Sequence, residues 1–331
     1  MIIVSHPSFS NNNSIRDEYK FLFIRPPPSR LLRNFLPAPL ERRFFMQNFN
    51  AKSYFRELDT YLDLRDLSIN TRKNYHSSLK AYLNWLSETL AVSPEDATYD
   101  NIRTYLLHLK KNRKLSNHSI NAHASTIRFF RIYILKQGWS QVEVPRMKYR
   151  TKLPFILSKE EALAFIDSIP NLKHKAFIVL LYSSGLRLSE VCSLRYEDIQ
   201  RKNLRIFIRD TKNRSERYAM LSTSALDILT LYWQTHGKPR GWLFPGRKPD
   251  SHIVKDTGSV YIQRHLDRLN WNLPVTAHTF RHSFATHLYE QGTDLVSIKN
   301  HLGHRSLNST LLYVHLARTG MGKAVSPFDV R

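Results

Sequence analysis

The stretch TAHTFRHSFATHLYEQG, residues 276–292, decides how the rest of the chain is read. It predicts a helix over 278–291, stopped by Gly292, with His278 and Arg281 three apart on one helical face. Two other segments share its concentration of uncommon residues. SSGLRLSEVCSL at 183–194 places Arg187 just after Gly185, and HLGHRSLNSTLLYVHLA at 301–317 places His304 at a glycine-broken helix start with Tyr313 nine residues later. One at a time, each has an ordinary structural explanation. A histidine beside a turn is commonly a cap, a tyrosine at helical spacing is commonly packing, and Arg187 is placed to answer a helix dipole.

Around these segments lies a strongly basic chain. Its 331 residues carry 50 Lys plus Arg against 27 Asp plus Glu, a formal net charge of +23. That balance suits a polyanionic partner without saying which one. With 42% hydrophobic and 12% aromatic residues the chain has material for real cores, and its length suggests about two domains. Wholesale disorder is excluded. The single Cys192 rules out a disulfide framework within the chain and fits a reducing cytosolic or nuclear setting, the cytoplasm once the motifs below are read. The longest apolar run, 176–182, is far short of the roughly 20 residues that span a bilayer, so it reads as core and no membrane partner is expected. The opening MIIVSHPSFSNNN lacks the features of a signal peptide.

Residues 1–49, with NNN, PPP and further prolines, read as a flexible arm or an upstream mis-start before Met46. Over 50–143 four amphipathic helices are predicted. Tyr54, Leu58, Tyr61 and Leu62 recur at helical spacing, as do Tyr75 to Leu90 after an Asn70-Thr71 start, a third set from Thr98, and Ile120 to Ile134 before Gly138. Basic residues on this unit, Arg72, Lys73, Lys110, Lys111, Arg113, Lys114, Arg128 and Arg131, suit contacts with phosphate or an ordinary solvated surface. The segment 144–157 reads as a basic extended linker carrying Lys148, Arg150 and Lys152, either a strap along a nucleic-acid backbone or a plain tether. A capping box at Ser158 and Glu161 opens a second domain over 158–317, followed by a tail, 318–331. That domain is mostly helical, but LRIFIRD at 204–210 and RYAML at 217–221 alternate around the polar turn TKNRSE, which predicts a β-hairpin. The expected fold class is mainly α with a small antiparallel β-sheet.

In order and spacing, Arg187, Lys212, His278, Arg281, His304 and Tyr313 resemble the tyrosine recombinase, or phage integrase, family over about 50–317. The boxes GLRLSE, HTFRHSFATHL and LGH…LLYVHL and the hairpin lysine carry the resemblance, which is to simple members similar to integron integrases and Xer-type recombinases. It implies an N-terminal four-helix core-binding (SAM-like) domain and a C-terminal catalytic domain with the DNA breaking-rejoining enzyme fold. It also implies a role for each residue. Tyr313 would attack a scissile phosphate to leave a 3′-phosphotyrosine, and Arg187 and Arg281 would clamp the non-bridging oxygens with His304 as a third donor. Lys212 would protonate the leaving 5′-oxygen, and His278 would serve as base or orienting group. Arg214, on the same turn as Lys212, does not readily donate its proton and is read as a phosphate contact. Glu190 reads either as an orienting carboxylate or as a helix-start cap.

No cofactor or metal is implied, because cationic side chains take the place of the ion. The implied partners are a double-stranded recombination site with inverted-repeat arms and further copies of the chain, a dimer per site and a synaptic tetramer. Ser183-Ser184 before Gly185, His301 before the LGH box and an end 18 residues after Tyr313 depart from the common family pattern. Two rival readings are a type IB topoisomerase, which shares the nucleophile but relaxes supercoils, and a non-catalytic DNA-binding regulator.

Overall fold

The structure is a computed structural model and describes residues 51–150, 152–209, 216–238, 240–248 and 250–317. The arm at 1–49, the tail at 318–331, and the candidates Lys212 and Arg214 lie outside the described residues. The chain divides into two units, residues 1–150 and 151–331.

The described residues of the first unit form four α-helices: α1 Ala51–Leu64, α2 Ile69–Trp85, α3 Tyr99–Lys111 and α4 Asn117–Phe129. The α2 start lies earlier than Asn70-Thr71, because Ser68 is the cap and its hydroxyl accepts from the Thr71 N–H at 3.3 Å. Thr98 and Asn101 cap α3 reciprocally, and Ser116 caps α4. Both α2 and α4 widen into π-helical turns at Leu86–Leu90 and Phe130–Ile134, so α4 gives out before Gly138. The predicted apolar positions form the core, with Leu58, Leu62, Leu79, Ile102, Ile120 and Ile127 buried around the Tyr82 and Tyr105 rings, 5.2 Å apart. Val144 closes this core. Asn121 then grips the Met147 backbone from both sides, and Asn117 donates to the Lys148 carbonyl at 2.7 Å, so the start of the basic segment is fastened to this unit.

The second unit has α5 Lys159–Asp167, α6 Leu172–Ser183, α7 Leu188–Cys192, β1 Ile199–Gln200, β2 Arg205–Ile208, β3 Arg217–Met220, α8 Thr223–Thr235, α9 Lys255–Arg268, α10 Ala277–Glu290, α11 Leu295–Leu302 and α12 Asn308–Leu316. Ser158 and Glu161 form the capping box that opens α5. Helix α6 is apolar all round because α5, α8 and α10 pack against it, which buries Ala176 to Leu181. The expected hairpin is present as β2 and β3, and β1 adds a third antiparallel strand on the far side of β2. Ile206 pairs with Ala219 and Ile208 with Arg217, so these four share one face of the sheet while Phe207 and Tyr218 share the other. Among the described residues no helix is long and apolar enough to cross a membrane.

A buried histidine pair lies away from the conspicuous motifs. His174 Nδ1 lies 3.2 Å from His265 Nε2, and the His174 ring stacks on Tyr261 at 3.8 Å. Burial, with the charges of neighbouring basic groups, pushes His174 down to about 4 and His265 in the same direction. Both are therefore neutral in the fold, whereas their unfolded-state value is near 6.5. The unfolded chain binds more protons between those values, so stability is complete above about pH 6.5 and falls as the pH drops towards 4. The urea midpoint of the full chain should decline over that interval. In a His174→Phe/His265→Leu variant the decline should be shallower.

Candidate active site

The three motif segments meet around one carboxylate and the arginines that surround it. Glu190 stands one turn into α7, and its side chain is 1% exposed. Its Oε2 accepts the Arg187 backbone N–H at 2.8 Å, which caps the helix, while its Oε1 accepts from the Arg187 guanidinium at 2.7 Å. Cap and orienting group, the two alternatives read from sequence, are thus the same side chain. A second guanidinium grips both oxygens: Arg217, on β3, donates Nη1 to Oε1 and Nη2 to Oε2, each at 2.8 Å. Arg281 Nη1 approaches Oε2 to 4.0 Å. Burial alone would raise the Glu190 pKa, but the bonds and charge of Arg217, with those of Arg187, lower it. Glu190 is ionised at neutral pH. Three guanidinium groups around one carboxylate leave two net positive charges in a nearly dry space.

Main-chain carbonyls fix the arginines further. Arg281 donates to the Gly185 carbonyl and the Leu302 carbonyl, both at 2.6 Å, and Arg187 Nη2 donates to the Gly303 carbonyl at 3.2 Å. Both glycines have left-handed backbones, with φ +60° at Gly185 and +63° at Gly303. Each also has a side chain where a Cβ would stand: Phe284 ring carbons at 2.3 and 2.6 Å from that of Gly185, and Arg217 Cδ at 2.8 Å from that of Gly303. The GLR and LGH motifs are therefore turns that aim a carbonyl at an arginine. Burial, with the charge of Arg187, brings Arg281 down to about 10, still protonated at neutral pH.

Tyr313, on α12, is 1% exposed. Its ring lies parallel to His304, with centroids 6.2 Å apart, and 5.8 Å from His282, whose ring is in turn 6.2 Å from His278. His282 is thus the ring neighbour of both His278 and Tyr313. His304 Nδ1 is held by the Thr310 hydroxyl at 3.0 Å, leaving Nε2 for another partner. Burial and the surrounding positive charges bring His282 and His304 to about 4, so both are neutral at pH 7. Burial raises the Tyr313 phenol, while Arg281 and Arg187 pull it back down.

Two sequence-predicted residues have different immediate partners. Arg72 pairs with Asp63 and donates to the Leu67 carbonyl. Arg131 donates to the Ala97 and Gly138 carbonyls and lies over the Tyr99 ring at 4.8 Å, so both arginines brace the first unit. Lys73, Lys110, Lys111, Arg113, Lys114, Arg128, Lys148, Arg150 and Lys152 are exposed. Arg217 escaped the sequence reading although a signal was there. Strand alternation puts it in phase with the core residues Ile206, Ile208 and Ala219, an unusual place for a charge unless it is paired.

This layout coincides with family relationships. Residues 54–141 match the phage integrase N-terminal SAM-like domain, and residues 156–319 match the phage integrase family. An integrase/recombinase of Sinorhizobium fredii is 34% identical over 270 residues, 81% of this chain and 86% of that protein. The tyrosine recombinase XerD of Halalkalibacterium halodurans is 30% identical, covering 81% of this chain and 94% of that one. Among solved structures, the XerH site-specific recombinase bound to its palindromic difH substrate has a TM-score of 0.64 at 20% identity, over 87% of this chain and 93% of that one. The Tn1549 transposon integrase in complex with transposon right end DNA has a TM-score of 0.66 at 15% identity, over 81% and 97%. The chain belongs to the phage integrase family. It is a tyrosine recombinase, a site-specific enzyme of DNA strand breaking and rejoining, and the relatives' names favour recombination over the topoisomerase reading.

Gly185→Ala tests the local geometry. The left-handed backbone alone costs roughly 1–2 kcal/mol for a residue with a Cβ, and the clash with Phe284 adds to it. A urea midpoint lowered by more than the backbone cost is expected, together with loss of DNA cleavage as the carbonyl that fixes Arg281 shifts.

Proposed function

We propose that Tyr313 attacks the scissile phosphate of a double-stranded recombination site, forming a 3′-phosphotyrosyl bond as the bond to the 5′-oxygen breaks. The observation that carries this reading is the position of the Tyr313 phenol, beside two neutral histidines and in the field of Arg187 and Arg281. The phosphorane-like transition state gains negative charge on its non-bridging oxygens. Donors already anchored by carbonyls and a carboxylate meet that charge without reorganising. Arg187 and Arg281 are the clamp, and His304 adds a neutral donor. The departing 5′-oxygen takes its proton from Lys212. His278 influences the tyrosine through His282, the ring between them.

Because Tyr313 is almost wholly covered, α12 has to shift before a phosphate reaches its hydroxyl. Strand exchange then proceeds through a Holliday junction, without a metal, between sites with inverted-repeat arms. Each site holds two copies of the chain, and four form the synapse. The exposed lysines and arginines of the first unit and of 144–152, with Arg214, supply phosphate contacts along the duplex. A protein acting in this way works in the cytoplasm, on the chromosome or on a mobile element. The five biological outcomes open to this chemistry are integration, excision, cassette capture, inversion and dimer resolution.

A nicked suicide duplex, enriched from a random-sequence pool by the protein's own binding, provides the test. Wild type should accumulate a covalent protein–DNA adduct on denaturing gels, Tyr313→Phe none, and Arg281→Gln at least about a hundredfold less per unit time. Strand exchange between two intact duplexes separates recombination from simple relaxation. Absence of any adduct from wild type on the selected duplex would point to the regulator reading.

A further inference from the structure

We propose that Arg217 is a positioning residue of the strand-cleavage site, keeping the Arg187 guanidinium aimed and its charge only partly offset by sharing Glu190 with it. The inference rests on the reading of Arg187 as a phosphate donor. The geometry is that of a dedicated clamp. Arg217 occupies a core-phase position on β3, its side chain is 8% exposed, and its fork meets both carboxylate oxygens at 2.8 Å. Its Nε donates to the His301 carbonyl at 3.0 Å, so the guanidinium is tied to the end of α11 as well, and β3 packs against that helix. Gly303 provides the space it occupies.

The electrostatic consequence follows from Glu190 having only one negative charge. Without Arg217, Arg187 would be the one guanidinium hydrogen-bonded to Glu190, with Arg281 4.0 Å away, and the carboxylate would offset the Arg187 charge most directly. With Arg217 on the bidentate face of the carboxylate, Arg187 keeps one contact to Oε1 for orientation while the group as a whole stays cationic. A buried ion cluster is a poor way to gain stability, since apolar side chains of similar volume do as well or better. A charge poised for an incoming phosphate is something apolar packing does not provide.

The test compares cleavage of the selected suicide duplex with that of the same duplex bearing a methylphosphonate at the scissile position. There a methyl group replaces one non-bridging oxygen and removes the charge that a guanidinium would meet. Arg217→Met should lose roughly a hundredfold on the phosphodiester but less than about tenfold on the methylphosphonate, the pattern also expected of Arg187→Gln. Adding Glu190→Gln to Arg217→Met removes the neutralising carboxylate, so the double variant should cleave the phosphodiester about tenfold faster than Arg217→Met. The urea midpoint of each variant is measured alongside, so that a loss of folding is told apart from a change in the site. Equal losses on the two substrates, or wild-type rates, in Arg217→Met and the double variant would overturn the proposal while Arg187→Gln still discriminates. If Arg187→Gln fails to discriminate, the phosphate-donor reading falls and this inference falls with it.

Discussion

A buried carboxylate with two arginines bonded to it and a third close by is the constraint on which the catalytic unit depends. Glu190 ties α7 to β3 through Arg217 and stands 4.0 Å from the arginine of α10. The Gly185, Leu302 and Gly303 carbonyls then complete the fixation of Arg187 and Arg281. These groups are spread along the chain from Gly185 to Gly303, so the site exists only once the α6 core has formed around them. An ionic cluster of this kind gains little net stability, because each charge gives up water to enter it. On the proposed function its value lies in pre-organisation: most of the desolvation precedes substrate, and among the described residues three arginines surround one carboxylate.

Around Tyr313 the same low-polarity surroundings act in two directions. Burial makes the phenol harder to ionise and makes the neighbouring histidines harder to protonate, while the arginines favour the phenolate. A neutral imidazole beside a tyrosine that is losing its proton is chemically useful in a way that an imidazolium is not. On the proposed function, the covered state of the tyrosine would confine its reactivity to an arrangement in which α12 has moved.

The sequence made most of this visible, and what it hid has physical causes. The four helices of the first unit and the apolar run of α6 were legible because amphipathic spacing and capping residues are local signals. Five motif positions that the structure describes, Arg187, His278, Arg281, His304 and Tyr313, stood out through their order, not through the chemistry of any single one. Arg217 was hidden because a basic residue in a basic chain looks like surface, and only its phase with Ile206 and Ile208 marks it as inward. His282 was hidden because its role depends on Tyr313, distant in sequence. The two-residue strand β1 is too short to display alternation. Arg72 and Arg131 looked like free charge because composition does not reveal that Asp63 and the Ala97 carbonyl are waiting for them.

Peptide mapping of the covalent complex tests the central assignment most directly. After nuclease trimming and trypsin digestion, mass spectrometry should find the nucleotide remnant on the peptide SLNSTLLYVHLAR, residues 306–318, with fragmentation placing it on Tyr313. A remnant on any other tyrosine, or on a serine or histidine of the site, would contradict the assignment.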